Sequence, residues 1–232
     1  MPLEYSGHVH VSRASRKEEL RAILGNPTPL GVMGFILSLT PLACDLMEWR
    51  GAGGFGAATV GTAYFFGGLL MILAAVLEFI LGNTFIFVVF SSYAAFWLSL
   101  AATLTPFYAA YTAYEPSDPT NPGFNNSYDF QTLAFFEVFM GLLCFIYLIC
   151  SIRTNICFVV IFLALTLGFS FLAGTSWQLA NGNADLSRSL KKVGWYFLLV
   201  QMLASVDFPF TLPVGDLSRI VRGASDKSAK AV

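Results

Sequence analysis

The sequence predicts an all-α integral membrane protein with six transmembrane helices, on three observations. Hydrophobic residues make up 56% of its 232 positions and charged residues only 12%, against about a quarter charged in a soluble domain. The charges crowd into the two tails and the loops. Between them run apolar stretches long enough to cross a bilayer, which takes about 20 residues for a hydrocarbon core of about 30 Å.

Residues 1–25 read as a cytoplasmic tail. Within it 13–24 places Leu20, Ile23 and Leu24 on one side, so it forms either a short amphipathic helix on the inner membrane surface or a frayed end. His8 and His10 alternate there, and two ligands do not close a metal site, so no metal and no cofactor are expected. The tail has no apolar signal core, which leaves the first membrane helix as the targeting signal.

The first span, 29–47, opens on Asn26-Pro27-Thr28-Pro29-Leu30-Gly31. Asn is a good helix cap, and Pro is tolerated in the first turn, where its missing N–H is not needed. Free amides and the positive helix end there would attract a small anion; the plainer alternative is an ordinary helix start.

In the second span, 59–81, the small residues Ala57, Gly61, Gly67 and Gly68 suit close helix packing. Glu78, near its inner end, either meets a proton or solute or reaches the interface. Only Gly82-Asn83 separates this span from the third, 84–105, which starts at Thr84, so the two form a tight hairpin. On the third, Ser92, Phe96 and Ser99 share one face and Tyr93 and Trp97 the next. That pattern suits a narrow pore lining, although serines also bond to their own preceding turn.

A polar loop, 114–129, contains the Asn125-Asn126-Ser127 glycosylation sequon. The fourth span, 132–152, carries Glu137; the fifth is 156–179; the sixth, 193–210, carries Asp207 beside Pro209. The pore domain is thus 26–212 and the remaining 213–232 a cytoplasmic tail, with 225–232 disordered in composition. No internal repeat is apparent.

Orientation follows from Lys and Arg. With both termini cytoplasmic, nine lie inside (Arg13, Arg16, Lys17, Arg21, Arg153, Arg219, Arg222, Lys227, Lys230) and four outside (Arg50, Arg188, Lys191, Lys192). The sequon then falls outside. The net charge of −1 gives no electrostatic reason to expect nucleic acid. Cys44, Cys144, Cys150 and Cys157 form no CxxC pair and read as small apolar side chains. There is no phosphate loop and no Ser–His pair within the spans, so an enzyme is not expected.

The stretch Asn26-Pro27-Thr28-Pro29-Leu30-Gly31-Val32 resembles the NPAPLGL signature of the acetate uptake transporter family, which includes bacterial succinate–acetate permease and fungal acetate transporters. Leu77-Glu78 with Gly82-Asn83-Thr84-Phe85, Ser92-Tyr93 with Phe96-Trp97-Leu98, and Leu165 through Ala173 follow in family order. The tail Leu212-Pro213-Val214-Gly215-Asp216 resembles fungal members. The resemblance covers roughly 22–218.

It implies a homo-hexamer in the plasma membrane, with a pore through each six-helix protomer. It also implies a proton-linked transporter or channel for acetate and other short monocarboxylates. The pore would narrow at Phe35, Tyr93 and Leu165, and the path would follow Asn26, Pro27, Pro29, Leu30, Gly31, Glu78, Asn83, Thr84, Ser92, Phe96, Trp97 and Ala204. Alternatives are ammonium or ammonia as the solute, or a membrane sensor without transport. The chain departs from the family pattern at Thr28, in place of the usual Ala; at Glu137, where an apolar residue is expected; and in the sixth helix, which lacks the usual Trp-Tyr pair.

Overall fold

A computed structural model describes residues 20, 23–54, 56–110, 127–154 and 156–205, with backbone alone at 127–129, 195 and 197–205. Among these residues there are no strands, and six long helices follow one another: α1 Thr28–Leu46, α2 Ala57–Ile80, α3 Thr84–Leu104, α4 Ser127–Ser151, α5 Ile156–Ala180 and α6 Ala184–Ser205. Among the described residues, five helical stretches are long and apolar enough to cross a membrane: α1, α2, α3, Phe130–Ser151 of α4, and α5. α6 begins with Asp185, Arg188, Lys191 and Lys192, so its first turns are polar. A sixth span therefore depends on the apolar stretch from Val193, part of which, with Asp207, lies outside the described residues. The sequon asparagines, both histidines, most of the amphipathic stretch 13–24 and the tail from 206 also lie outside them.

Two boundaries differ from the sequence reading. α4 begins at Ser127 rather than 132, and α6 at Ala184 rather than 193. The apolar criterion locates what lipid can cover, but a helix can run on past the bilayer. The cationic residues 188–192 thus ride on the first turns of α6, where Asp185 faces the positive helix end.

The helices pack in a circuit: α1 against α2, α2 against α3, α4 against α5, α5 against α6, and α6 back against α1. α3 meets α4 through side chains, with Tyr147 donating to Ser92 Oγ at 3.1 Å and Phe96 stacked on Phe136 at 6.0 Å between centroids. The buried cluster inside the circuit includes Phe35, Met71, Tyr93, Trp97, Phe162 and Leu165. The outer surface is also apolar: Phe65, Leu69 and Leu73 of α2 and Phe135, Phe139 and Ile146 of α4 are exposed. A water-soluble fold would not leave such continuous faces bare.

In α2 the backbone adopts the wider i→i+5 hydrogen-bond pattern over Ala63–Leu70, a feature that often marks functional regions. Here Gly67 and Gly68 turn toward α3. A Cβ on Gly67 would run into the Trp97 ring, and one on Gly68 into the Leu98 side chain. The small-residue pattern is a packing device at these two positions, while Gly61 has open space around its Cβ position.

The expected hairpin between α2 and α3 is present, and the α5–α6 connection is built in the same way. Gly82 and Gly182 take positive φ, 70° and 77°, the backbone that ends a helix without Cβ strain. The next amide in each turn, Asn83 or Asn183, donates at 2.9 Å to the carbonyl five residues earlier, Glu78 or Gln178. Each asparagine side chain also reaches the side chain of that same residue. The sequence carries this correspondence at equal spacing, Glu78 with Gly82-Asn83 and Gln178 with Gly182-Asn183, although the residues between them differ.

Candidate functional site

α1, α3 and α5 each bring one side chain to a common point in the interior. Phe35 is 9% exposed, Tyr93 3% and Leu165 2%. All three line one cavity of about 40 Å³ with Val32, Met71, Phe90 and Phe162. The Phe35 ring meets Tyr93 edge-on, centroids 5.5 Å apart at 77°. A water needs about 10–15 Å³ of such space, so the cavity admits a solute of only a few heavy atoms. Among the described residues its one polar side chain is Tyr93, whose hydroxyl lies 3.0 Å from Cys144 Sγ. A bare carboxylate here would lose its hydration with almost nothing in return, whereas a neutral acid loses far less.

About 10 Å from this cavity, two turns toward the N-terminus of α1 and two toward the C-terminus of α2, lies a polar cluster around Glu78. Glu78 is fully buried. Thr28 Oγ1 donates to its Oε1 at 2.5 Å and Asn83 Nδ2 donates to its Oε2. The Thr28 N–H donates to Asn26 Oδ1 at 3.1 Å, Pro29 has none, and the N–H groups of Leu30 and Gly31 point to the Pro27 carbonyl at 3.0 and 3.4 Å.

The expectation that free amides of this helix end would meet an anion is therefore corrected. The amides are already engaged, and the acidic side chain at the positive end is Glu78. A cavity of about 350 Å³ opens beside it, lined in part by Asn26, Thr28, Asn83 and Ile86. Pro27 and Gly31 are buried, with Gly31 directly under the Phe90 ring, while Leu30 is half-buried and Pro29 and Thr84 are exposed.

Away from that cluster, the same face of α5 continues from Leu165 through Phe169 and Leu172 to Ser176, about 16 Å along the helix. Here a cavity of about 160 Å³ is lined by Phe96, Ser99, Thr103, Glu137, Thr175, Ser176 and Lys191 among leucines and phenylalanines. Ser176 Oγ donates to Glu137 Oε2 at 2.7 Å. Lys191 Nζ lies 3.8 Å from Glu48 Oε1. Lys191 precedes the apolar stretch; burial pushes its ammonium below the ordinary lysine range, with the Glu48 and Asp45 carboxylates opposing that shift.

The remaining residues of the expected path lie apart from these cavities or at their edges. Ser92 donates to the Val89 carbonyl at 2.8 Å and accepts from Tyr147, so it ties α3 to α4. Trp97 is 2% exposed and closes a small space beside Ser38, between α1, α2 and α3. Its Nε1 has no partner among the described residues. Ala204 lies in α6, where only backbone is described. Among the described residues the four cysteines form no disulfide. Sequence reasoning missed Cys144 and Ser176 as partners of Tyr93 and Glu137. Ser176 was within reach, since it repeats Leu165 on the α5 face.

The chain matches the GPR1/FUN34/yaaH family over residues 11–218. It is 44% identical to the protein alcS of Aspergillus fumigatus across 88% of this chain and 79% of that one. It is 27% identical to the acetate transporter protein patA of Aspergillus clavatus, across 94% of this chain and 90% of that one. The solved structure of the bacterial acetate channel SatP superposes with a TM-score of 0.60 at 25% identity, covering 78% of this chain and 90% of that one. The protein is an all-α, multi-pass membrane protein, and the resemblance first drawn from Asn26–Val32 holds over most of the chain. With the motif, the helix circuit and these matches in agreement, the chain belongs to the GPR1/FUN34/yaaH family.

Proposed function

We propose that this protein carries acetate and other short monocarboxylates across a membrane, through a pore in each protomer that narrows at Phe35, Tyr93 and Leu165. The observation that carries this reading is the convergence of those three side chains on one small apolar cavity, with a polar-ended cavity on either side. The proposed waist rejects ions because they must shed water to enter, and it passes the neutral form of a small acid. The relatives patA and SatP are named as an acetate transporter and an acetate channel, which supports this solute over ammonium. In the same reading 26–212 is the pore domain, 1–25 and 213–232 are cytoplasmic tails, the sixth span starts near Val193, and the protein works proton-linked as a homo-hexamer in the plasma membrane without catalytic chemistry.

The test is uptake of labelled acids into proteoliposomes containing the full chain. Acetate is expected to enter, with flux falling by about tenfold or more for each methylene added, the discrimination a tight apolar site gives. Acetate binding without flux would assign the chain a sensing role instead, and ammonium flux unaffected by acetate would point to the other solute.

A further inference from the structure

Glu137 and Lys191 are the charged side chains that line the cavity beyond Phe169, the outer cavity in the proposed orientation, and the mechanism above leaves Glu137 without a task. Its carboxyl group projects from α4, and one oxygen is held by the Ser176 hydroxyl. The groups facing it from the other elements are uncharged apart from one: Ser99 and Thr103 on α3, Thr175 and Ser176 on α5, leucines on α1, and Lys191 on α6. Lys191 is itself close to Glu48, with Asp45 and Arg188 near enough to be felt. The site thus offers a fixed carboxyl group in largely apolar surroundings, an ammonium paired with Glu48 beside it, and then an apolar run along α5 to the waist.

We propose that Glu137 is the proton-exchange group of the outer mouth, handing its proton to an arriving carboxylate so that the solute enters the waist as the neutral acid. This deepens the transport reading and rests on it. In the step, the O–H bond of the Glu137 carboxyl breaks and an O–H bond forms on the solute carboxylate. The carboxylate left on Glu137 keeps the Ser176 hydrogen bond and takes its next proton from water at the outer opening. Two carboxyl groups in one poorly hydrated cavity resist double ionisation and share a proton, so the transfer faces no large imbalance.

The advantage is greatest near neutral pH. A free acid of pKa about 4–5 has a neutral fraction that falls tenfold per pH unit above that value. Loading inside the cavity replaces this dependence on the bulk neutral fraction by one on the reprotonation of Glu137.

The experiment is acetate uptake by the full chain in proteoliposomes, read as the ratio of the rate at about pH 7 to that at about pH 4.5. Glu137→Gln keeps a hydrogen-bond acceptor for Ser176 but carries no exchangeable acid proton. It is expected to lower the ratio about tenfold or more, its profile then following the free acid. Glu137→Asp is expected to retain most of the wild-type ratio, and Ser176→Ala to lower it in part. A wild-type ratio in Glu137→Gln overturns the proposal. If that variant does not insert or assemble, a ratio lost in Glu137→Asp together with one untouched in Ser176→Ala overturns it equally. Wild-type protein without acetate flux at either pH sinks the transport reading itself, a different failure from an altered ratio.

Discussion

Tyr93 lies at the waist with its hydroxyl 3.0 Å from a thiol. A thiol is a weak hydrogen-bond partner, so a carboxyl oxygen passing through competes for that hydroxyl at small cost. Tyr93→Phe keeps the ring against Phe35 and removes the polar side chain of the cavity among the described residues. Acetate flux should fall by about threefold to tenfold, the worth of one ordinary hydrogen bond, whereas Cys144→Ala should leave it at least as fast. Equal loss in both would mean that the Tyr93–Cys144 contact matters for packing alone. Leu165 is the wall opposite. Shortening it to Ala enlarges a cavity of about 40 Å³ and should bring propionate and butyrate closer to acetate, shrinking the discrimination by about tenfold per methylene. Unchanged ratios across an acid panel would remove Leu165 from the selectivity filter.

At the scale of elements, two turns and one close approach set how the helices meet. Gly82 and Gly182 end helices at positive φ, so alanine at either site costs about 1 kcal/mol in backbone strain. Gly67 is different. Its missing side chain is the space that the Trp97 ring occupies, and Gly67→Val must push α2 from α3, an overpacking cost of about 1–3 kcal/mol. In detergent, Gly182→Ala should lower the melting temperature by about 2–4 °C, and Gly67→Val by more; the reverse order would show that α2 and α3 are held apart by something other than this contact. These elements were unevenly legible. Apolar length located the spans and Gly82-Asn83 located the hairpin, because both are local. The early start of α6 was hidden because Arg188, Lys191 and Lys192 read as loop to any rule that asks only what lipid will cover. The wide turn at Ala63–Leu70 left no mark in a stretch that is apolar on every side.

For the whole molecule, the sequence carried the residues of the site better than their partnerships. Phe35, Tyr93 and Leu165 came from motif matching, and the structure places them on one cavity. The pairing of Glu78 with Thr28 and Asn83, which occupies the helix end expected to attract anions, depends on α1 and α2 meeting at depth, and no local pattern reports that. The same assembly decides where the proposed pore lies. Among the described residues, the side chains lining the waist come from α1, α2, α3 and α5 of this one chain, and those of the outer cavity add α4 and α6. On the proposed reading, a path within the protomer conducts on its own, whatever the number of subunits around it. Leu165→Trp, which fills the waist, should then silence only the subunits that carry it. In proteoliposomes made from co-expressed wild-type and Leu165→Trp chains, verified to co-assemble by tagged pull-down, acetate flux should decline in direct proportion to the blocked fraction. A steeper decline, in which one blocked subunit silences its neighbours, would mean that the conducting path lies between protomers or that its gating is shared among them.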